Sequence, residues 1–272
     1  MKKTLAVPGG HLAYEIMGEG PLVTLLHPGL WDMRTWDREF ERWPSQGLRV
    51  LRYDLRGYGG SSRLEPGVPY SHIQDLTALL DEVGAASTAL VGCSMGGGIA
   101  IDFTLEHADR VWALVAVAPG LGGFEPQPAE EAWWEARVGP IAAAVESGDL
   151  DRAQDLRLEM WAPLGTEDPA GARIREIAFD NLHELTMDES GEVELDPPAA
   201  TRLGEITTPT LIVGAPHDPP HMRRVVDSLA TGIPGARSVT IEGADHVVNL
   251  RQPDAFEGAT LPFLLGFLPT GG

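Results

Sequence analysis

An α/β fold, a mostly parallel sheet with helices on both faces and one helical insertion, is what the sequence predicts, and three observations predict it. Short runs rich in Val, Leu and Ile recur along the chain with helix-forming segments between them. Most of these runs lack the apolar and polar alternation of a half-wetted strand, so both of their faces must be covered, as in a parallel sheet flanked by helices. Between about residues 122 and 204 this rhythm stops, and the segments there are helix-forming and acidic.

Taken in order, KTLAV and HLAYEIM flank a PGG turn and read as an antiparallel hairpin at the sheet edge. Six further strands follow, LVTLL (22–26), RVLRY (49–53), STALV (87–91), VWALVAV (111–117), TLIVG (210–214) and SVTIE (238–242), eight in all. Helices fit between them at roughly 33–43, 72–83, 95–107, 220–230 and 252–267. Within the insertion, PAEEAWWEARVGPIAAAVESG and DLDRAQDLRLEMWA read as helices with acidic surfaces. A third helix starts with Asp168 as N-cap and Pro169 in its first turn. Ile174, Ile177, Ala178, Leu182 and Leu185 give it one apolar face at three- and four-residue spacing. The expected division is a core of residues 1–121 and 205–272 with an insertion at 122–204; the closing LPTGG is expected to fray.

Composition narrows the function classes. The chain has 272 residues, 43% of them hydrophobic, enough for a sizeable interior in one or two domains. No stretch approaches the ~20 apolar residues of a membrane helix, and MKKTLAVPGGH lacks the apolar run of a signal peptide, so a cytoplasmic location is expected. Cys93 is the single cysteine, which excludes an internal disulfide and a thiolate metal cluster; it reads as a small buried hydrophobe ending a strand. Forty acidic against 20 basic residues give a formal charge of −20, which repels nucleic acid and anionic membranes and leaves a small molecule as the expected partner. Residues 122–204 hold 19 acids and six bases, a net of −13 out of that −20.

The chemistry is concentrated in ALVGCSMGGGIAIDF, residues 89–103, where an apolar strand turns through a serine into a helix. Glycines stand two positions before and two after Ser94. If the serine occupies a strained left-handed conformation at the apex of a tight turn, side chains at both flanking positions would strike the facing backbone. The match is the only G-x-S-x-G in the chain, and the helix N-terminus after it places positive potential where negative charge would develop. A serine hydroxyl needs a base to take its proton and a third group to orient that base. Of eight histidines, His246 lies in a loop just after a strand, in TIEGADHVVNLRQPDAF, and Asp218 follows a strand directly in TLIVGAPHDPPH.

With these residues in view, the chain resembles the α/β-hydrolase superfamily. The likeness is carried by LLHPG, LRYDLRGYGGSS, GCSMGG, PTLIVGAPHDPP and GADHVVNLRQPDAF, five motifs in register over nearly all of the chain outside the insertion. Within the superfamily it is most similar to esterases and 3-oxoadipate enol-lactonase-like hydrolases. The resemblance implies a cofactor-independent Ser94–Asp218–His246 triad and makes the insertion a cap over the active site. Its oxyanion donors would be the N–H groups of Met95 and of a residue after His27. The chain departs from the pattern at His27–Pro28, where proline has no N–H, so the second donor is Gly29 or Leu30. GAPHD is also one residue longer than the common spacing, which leaves Asp245 as a rival acid.

The same reading expects no metal: His217, Asp218 and His221 could be drawn as ligands, but Pro219 and Pro220 interrupt the helix that would align the imidazoles. His27 is expected to fix the oxyanion loop, and Arg56, Gly57 and Gly59 to form a structured turn. Trp31, directly after the oxyanion loop, is expected to wall the substrate pocket. Leu30, Phe124, Trp133, Trp134 and Trp161 are further pocket candidates, although such aromatics, taken one by one, are more often core than substrate contacts. Arg137, Arg157 and Arg173 are the insertion's candidates for meeting a substrate carboxylate. The expected reaction is hydrolysis of a carboxylic ester or lactone through an acyl-enzyme. The alternatives are a C–C bond hydrolase, a cofactor-free haloperoxidase, or a receptor that keeps the triad but barely turns over.

Overall fold

The computed structural model describes residues 2–269; the last three residues of the tail expected to fray lie outside that range. The eight strands are β1 (Lys3–Val7), β2 (Gly10–Met17), β3 (Leu22–Leu26), β4 (Arg49–Tyr53), β5 (Thr88–Cys93), β6 (Val111–Val117), β7 (Thr210–Gly214) and β8 (Arg237–Thr240). They form one sheet in the order β1-β2-β4-β3-β5-β6-β7-β8. The β1–β2 hairpin is antiparallel, β2 pairs antiparallel with β4, and every later pairing is parallel.

The helices are α1 (Asp37–Arg42), α2 (His72–Glu82), α3 (Met95–Glu106), α4 (Pro128–Glu146), α5 (Leu150–Trp161), α6 (Pro169–Asp180), α7 (Pro220–Gly232), α8 (Val248–Arg251) and α9 (Pro253–Gly266). Strand residues alternate between two cores, as the two-residue repeat of a strand requires. Leu22, Leu26, Leu90, Leu114 and Ile212 meet Leu76 and Leu79 of α2, Ile99 and Phe103 of α3 and Leu229 of α7. Val23, Leu25, Val91, Val115 and Val213 meet Phe40 of α1 and Phe256 and Phe263 of α9. Strands β3, β5 and β7 are buried along their whole length, which is why their sequences show no alternation.

Between β6 and β7 the chain runs through α4, α5 and α6. A third apolar cluster fastens this segment to the core: Leu158, Ile174, Ile177 and Ala178 pack with Leu30, Trp31 and Val247, which come from the loops after β3 and β8. Among the described residues no helix is long and apolar enough to cross a membrane.

Two expected helices are broken up, and one gains a preceding turn. The helix expected at 33–43 is a 3-10 turn over Met33–Trp36, then α1, then a second 3-10 turn over Trp43–Gln46. Asp54 draws the Met33 N–H and Asp32 the Arg34 N–H at the start, and Pro44 opens the last turn. The C-terminal helix expected at 252–267 is α9, and a short extra turn, α8, precedes it, set off at Gln252, whose backbone leaves the helical region before Pro253, as a residue ahead of proline tends to do. Helix α6 stops at Asp180, where Asn181 turns its side-chain amide back onto the Ile177 carbonyl and across to Asp32. Leu182 and Leu185 therefore sit in a separate 3-10 turn rather than on the apolar face expected of them.

Candidate active site

β5 ends at Cys93 and α3 begins at Met95, so Ser94 alone makes the turn, with φ 51° and ψ −115°. Its N–H donates to the Val117 carbonyl on β6, and its own carbonyl accepts from Gly98 and Gly120. These bonds hold a backbone conformation that a residue with a Cβ seldom adopts. A Cβ on Gly92 would lie 2.2 Å from the Gly96 carbonyl oxygen, and one on Gly96 would lie 2.4 Å from that of Leu26. Strand, turn and helix close on one another backbone to backbone, which accounts for the glycines on either side of the serine.

The loops after β7 and β8 bring an acid and an imidazole together. His246 Nδ1–H donates to Asp218 Oδ1 at 2.7 Å, and both side chains are almost fully buried. The rival Asp245 is committed elsewhere: Arg251 Nε donates to both of its oxygens at 3.0 and 3.1 Å, and the Leu164 N–H adds a third bond. Cys93 is fully buried behind the turn, its thiol directed at the His246 carbonyl at 3.5 Å and pushed well up by burial.

The loop after β3 is fixed by His27. Its Nδ1–H donates to the Pro28 carbonyl at 2.8 Å, while its Nε2 accepts the Leu55 N–H at 2.9 Å. Burial holds this imidazole below its ordinary value, so it is neutral and able to donate and accept at once. Leu30 takes a left-handed conformation with φ 71°. The expected turn at Arg56 is structural, since Arg56 grips Asp75 with two bonds of 2.6 and 2.7 Å, both partners being buried.

Ser94, Met95 and His246 open onto one cavity of about 640 Å³, together with Gly29, Leu30, Trp31, Trp134 and Trp161. The Trp161 ring lies 4.3 Å from the His246 ring. Trp31 lines the cavity but is completely buried, and its indole N–H donates to the Ile174 carbonyl, tying the loop after β3 to α6. Phe124 and Trp133 do not line the cavity. Phe124 lies under the Arg224 guanidinium at 4.2 Å and Trp133 under that of Arg137 at 3.8 Å.

Sequence reasoning missed much of the wall. Val138, Ile141, Ala142 and Val145 of α4 line it at helical spacing, a stripe the sequence contains but that does not distinguish a core from a cavity. Tyr58, Met160 and Met187 add apolar surface, and Glu146, Glu184 and Glu189 add charge beside Arg157, the one arginine candidate that does line the cavity. Arg157 is ion-paired with Glu184. Burial pushes the Glu184 carboxyl up in spite of that partner, and does the same to Glu189. Of the other two arginine candidates, Arg137 covers Trp133 and Arg173 binds Asp37 and Glu176, so neither reaches the cavity.

A model of the alpha/beta hydrolase family matches residues 24–259. The chain belongs to that family. A 2-hydroxy-6-oxononadienedioate/2-hydroxy-6-oxononatrienedioate hydrolase of Cupriavidus pinatubonensis is 27% identical over 89% of this chain and 86% of its own. A rhodomycin D methylesterase of Streptomyces sp. (strain C5) is 30% identical over 85% of this chain and 86% of its own. Among solved structures, the enol-lactonase from Burkholderia xenovorans superposes with a TM-score of 0.76 at 26% identity, covering 97% of this chain and all of the other. The chain is thus a member of the alpha/beta hydrolase family that is similar to an esterase and a lactonase, and also to a relative named as a dioate hydrolase.

Proposed function

We propose that this alpha/beta hydrolase is a serine hydrolase that cleaves an uncharged carboxylic ester through an acyl-enzyme on Ser94. The observation that carries the reading is the buried 2.7 Å pair of His246 and Asp218, which shares one cavity with a serine held in a strained turn. With Nδ1 engaged, His246 has Nε2 for proton transfer. Ser94 Oγ attacks the ester carbonyl as His246 takes its proton, the C–O bond breaks as His246 returns that proton to the leaving alcohol, and a water activated by the same imidazole releases the acid. The Met95 N–H stands in the first turn of α3, where no intrahelical acceptor exists. It serves with the N–H of Gly29 as the oxyanion hole. Residues 122–204 act as the cap, with α4 and α5 closing the cavity over Ser94.

The charge of the wall supports an uncharged substrate. One relative is named for hydrolysis of a dioate, another for hydrolysis of a methyl ester. A dianion needs a free cation, but Arg157 is already held by Glu184, and Glu146 and Glu189 add negative charge to the same wall. Both of these acids are exposed at the cavity's edge, where their repulsion of an anion is screened as salt rises. A matched pair of substrates tests the assignment: for a methyl ester and its ω-carboxylate analogue of equal length, kcat/KM is expected to favour the uncharged ester by about tenfold or more, a difference of about 1.4 kcal/mol. An anionic analogue that is hydrolysed equally well or better would overturn the preference and return the dioate-type substrate to first place.

A further inference from the structure

Asp218 is followed by Pro219 and Pro220, which open α7. A carboxylate at the mouth of a helix ordinarily accepts hydrogen bonds from the free N–H groups of the first turn, and neither proline has one to give. Asp218 Oδ1 is served by His246, but Oδ2 is buried and has no partner in the protein. An acceptor left so inside a protein is costly, and more so when it is charged.

A donor in the complementary state stands three residues on, its ring 6.3 Å from that of Trp161, which packs on His246. His221, the residue after the two prolines, has a buried Nδ1 with no protein partner. Burial keeps this imidazole below its ordinary value against the upward pull of Asp218 and Glu130, so it is neutral and carries one N–H. Its ring is held edge-on to Trp134 at 5.1 Å, with Trp133 and Trp161 at 6.4 and 6.3 Å. The ionisable groups around it are Asp218 and His246 from the loops after β7 and β8, Glu130 from α4, and Arg224 from α7. Glu131 and Glu135 of α4 share an outer cleft with it. Glu130 is taken by Arg224 through bonds of 2.7 to 3.0 Å, which leaves Asp218 as the close carboxylate still lacking a donor.

We propose that His221 is a positioning residue for the triad: its Nδ1–H supplies, across one bridging water, the hydrogen bond that Asp218 Oδ2 cannot take from Pro219 or Pro220. Both atoms are buried and without a protein partner, the condition in which a protein interior holds a bridging water. The inference rests on the triad reading above. Without this donor the Asp218 charge is less dispersed and holds a protonated His246 more tightly, so the acidic limb of the pH–rate profile moves to higher pH.

Two variants of the full chain separate hydrogen bonding from ring packing. His221→Phe keeps an aromatic ring among the tryptophans but no donor; His221→Gln keeps a donor but no ring. For ester turnover, His221→Phe is expected to lower kcat by about tenfold with KM nearly unchanged and the acidic limb displaced upward, while His221→Gln stays within about threefold of the parent. A wild-type profile for His221→Phe, or equal losses in the two variants, would overturn the proposal. So would a further loss on adding His221→Phe to Asp218→Asn, where the carboxylate it serves is already gone. Fluorophosphonate labelling of the parent at Ser94 keeps the two readings apart: failure to label strikes at the nucleophile, whereas labelling with unmoved His221 variants strikes at His221 alone.

Discussion

Asp218 and Asp245 both lie close in sequence or space to His246, and packing gives them different work. Asp218→Asn removes the acceptor that fixes the imidazole tautomer, a change that costs up to about 10⁴ in kcat in serine proteases, with little change in Tm. Asp245→Asn instead strips Arg251 of its buried partner, so the expected loss is about 3–5 kcal/mol of stability with kcat retained below the melting transition. Melting curves and initial rates on the two variants check this division. Glu39 offers a pH test. It is buried on α1 near Asn249, and burial pushes its carboxyl from 4.5 up to about 7. Between those values the folded state keeps a proton that the unfolded state releases, so Glu39 makes stability fall as pH rises from about 4.5 to 7 and level off above. Glu39→Gln is therefore expected to raise Tm by several degrees at pH 8, about 2 kcal/mol, and to leave it nearly unchanged at pH 4. Ser94, His246 and Asp218 were legible in the sequence because each follows a strand at the edge where loops gather. Arg157 was among the insertion's arginine candidates, but its pairing with Glu184 was not legible: the two are 27 residues apart, and Glu184 looks in sequence like one more solvated charge on an acidic helical segment.

At the scale of elements, the turn around Ser94 was legible to the residue, because only backbone contact on both sides explains glycine at 92 and 96. Gly96→Ala, which drives a Cβ into the Leu26 carbonyl, is expected to lower stability by about 2–4 kcal/mol and to reduce kcat with it. Gly98→Ala is the control: its Cβ would meet the Gly120 carbonyl oxygen at 3.4 Å, so its effect is expected to stay within about 1 kcal/mol. Thermal melting of the pair measures the difference. Where helix boundaries escaped the sequence, the cause was tertiary. Asp32 and Asp54 compete for the amides that begin the segment at Met33, and Asn181 ends α6 by reaching to Asp32 and Ile177, contacts no local pattern announces. The break before Pro253 was announced locally by the proline itself.

Over the whole molecule, the doubly covered sheet was readable from composition and rhythm, since strands such as LVTLL and TLIVG have no polar face to expose. The attachment of the acidic insertion was not, because it depends on Leu30, Trp31 and Val247 meeting Leu158 and Ile174 from distant parts of the chain. Of the −20 charge, −13 falls in residues 122–204, the segment proposed to cap the cavity. The discrimination between the methyl ester and its ω-carboxylate analogue should accordingly shrink as salt screens the exposed charges, Glu146 and Glu189 among them. All of this turns on Ser94 as the nucleophile, and labelling with a fluorophosphonate probe, mapped by mass spectrometry on the parent and on Ser94→Ala, tests that most directly. The expected result is one label per chain, on Ser94, and none on a Ser94→Ala variant that melts like the parent; a label that persists in the variant, or a parent that hydrolyses esters yet takes no label at Ser94, would contradict it.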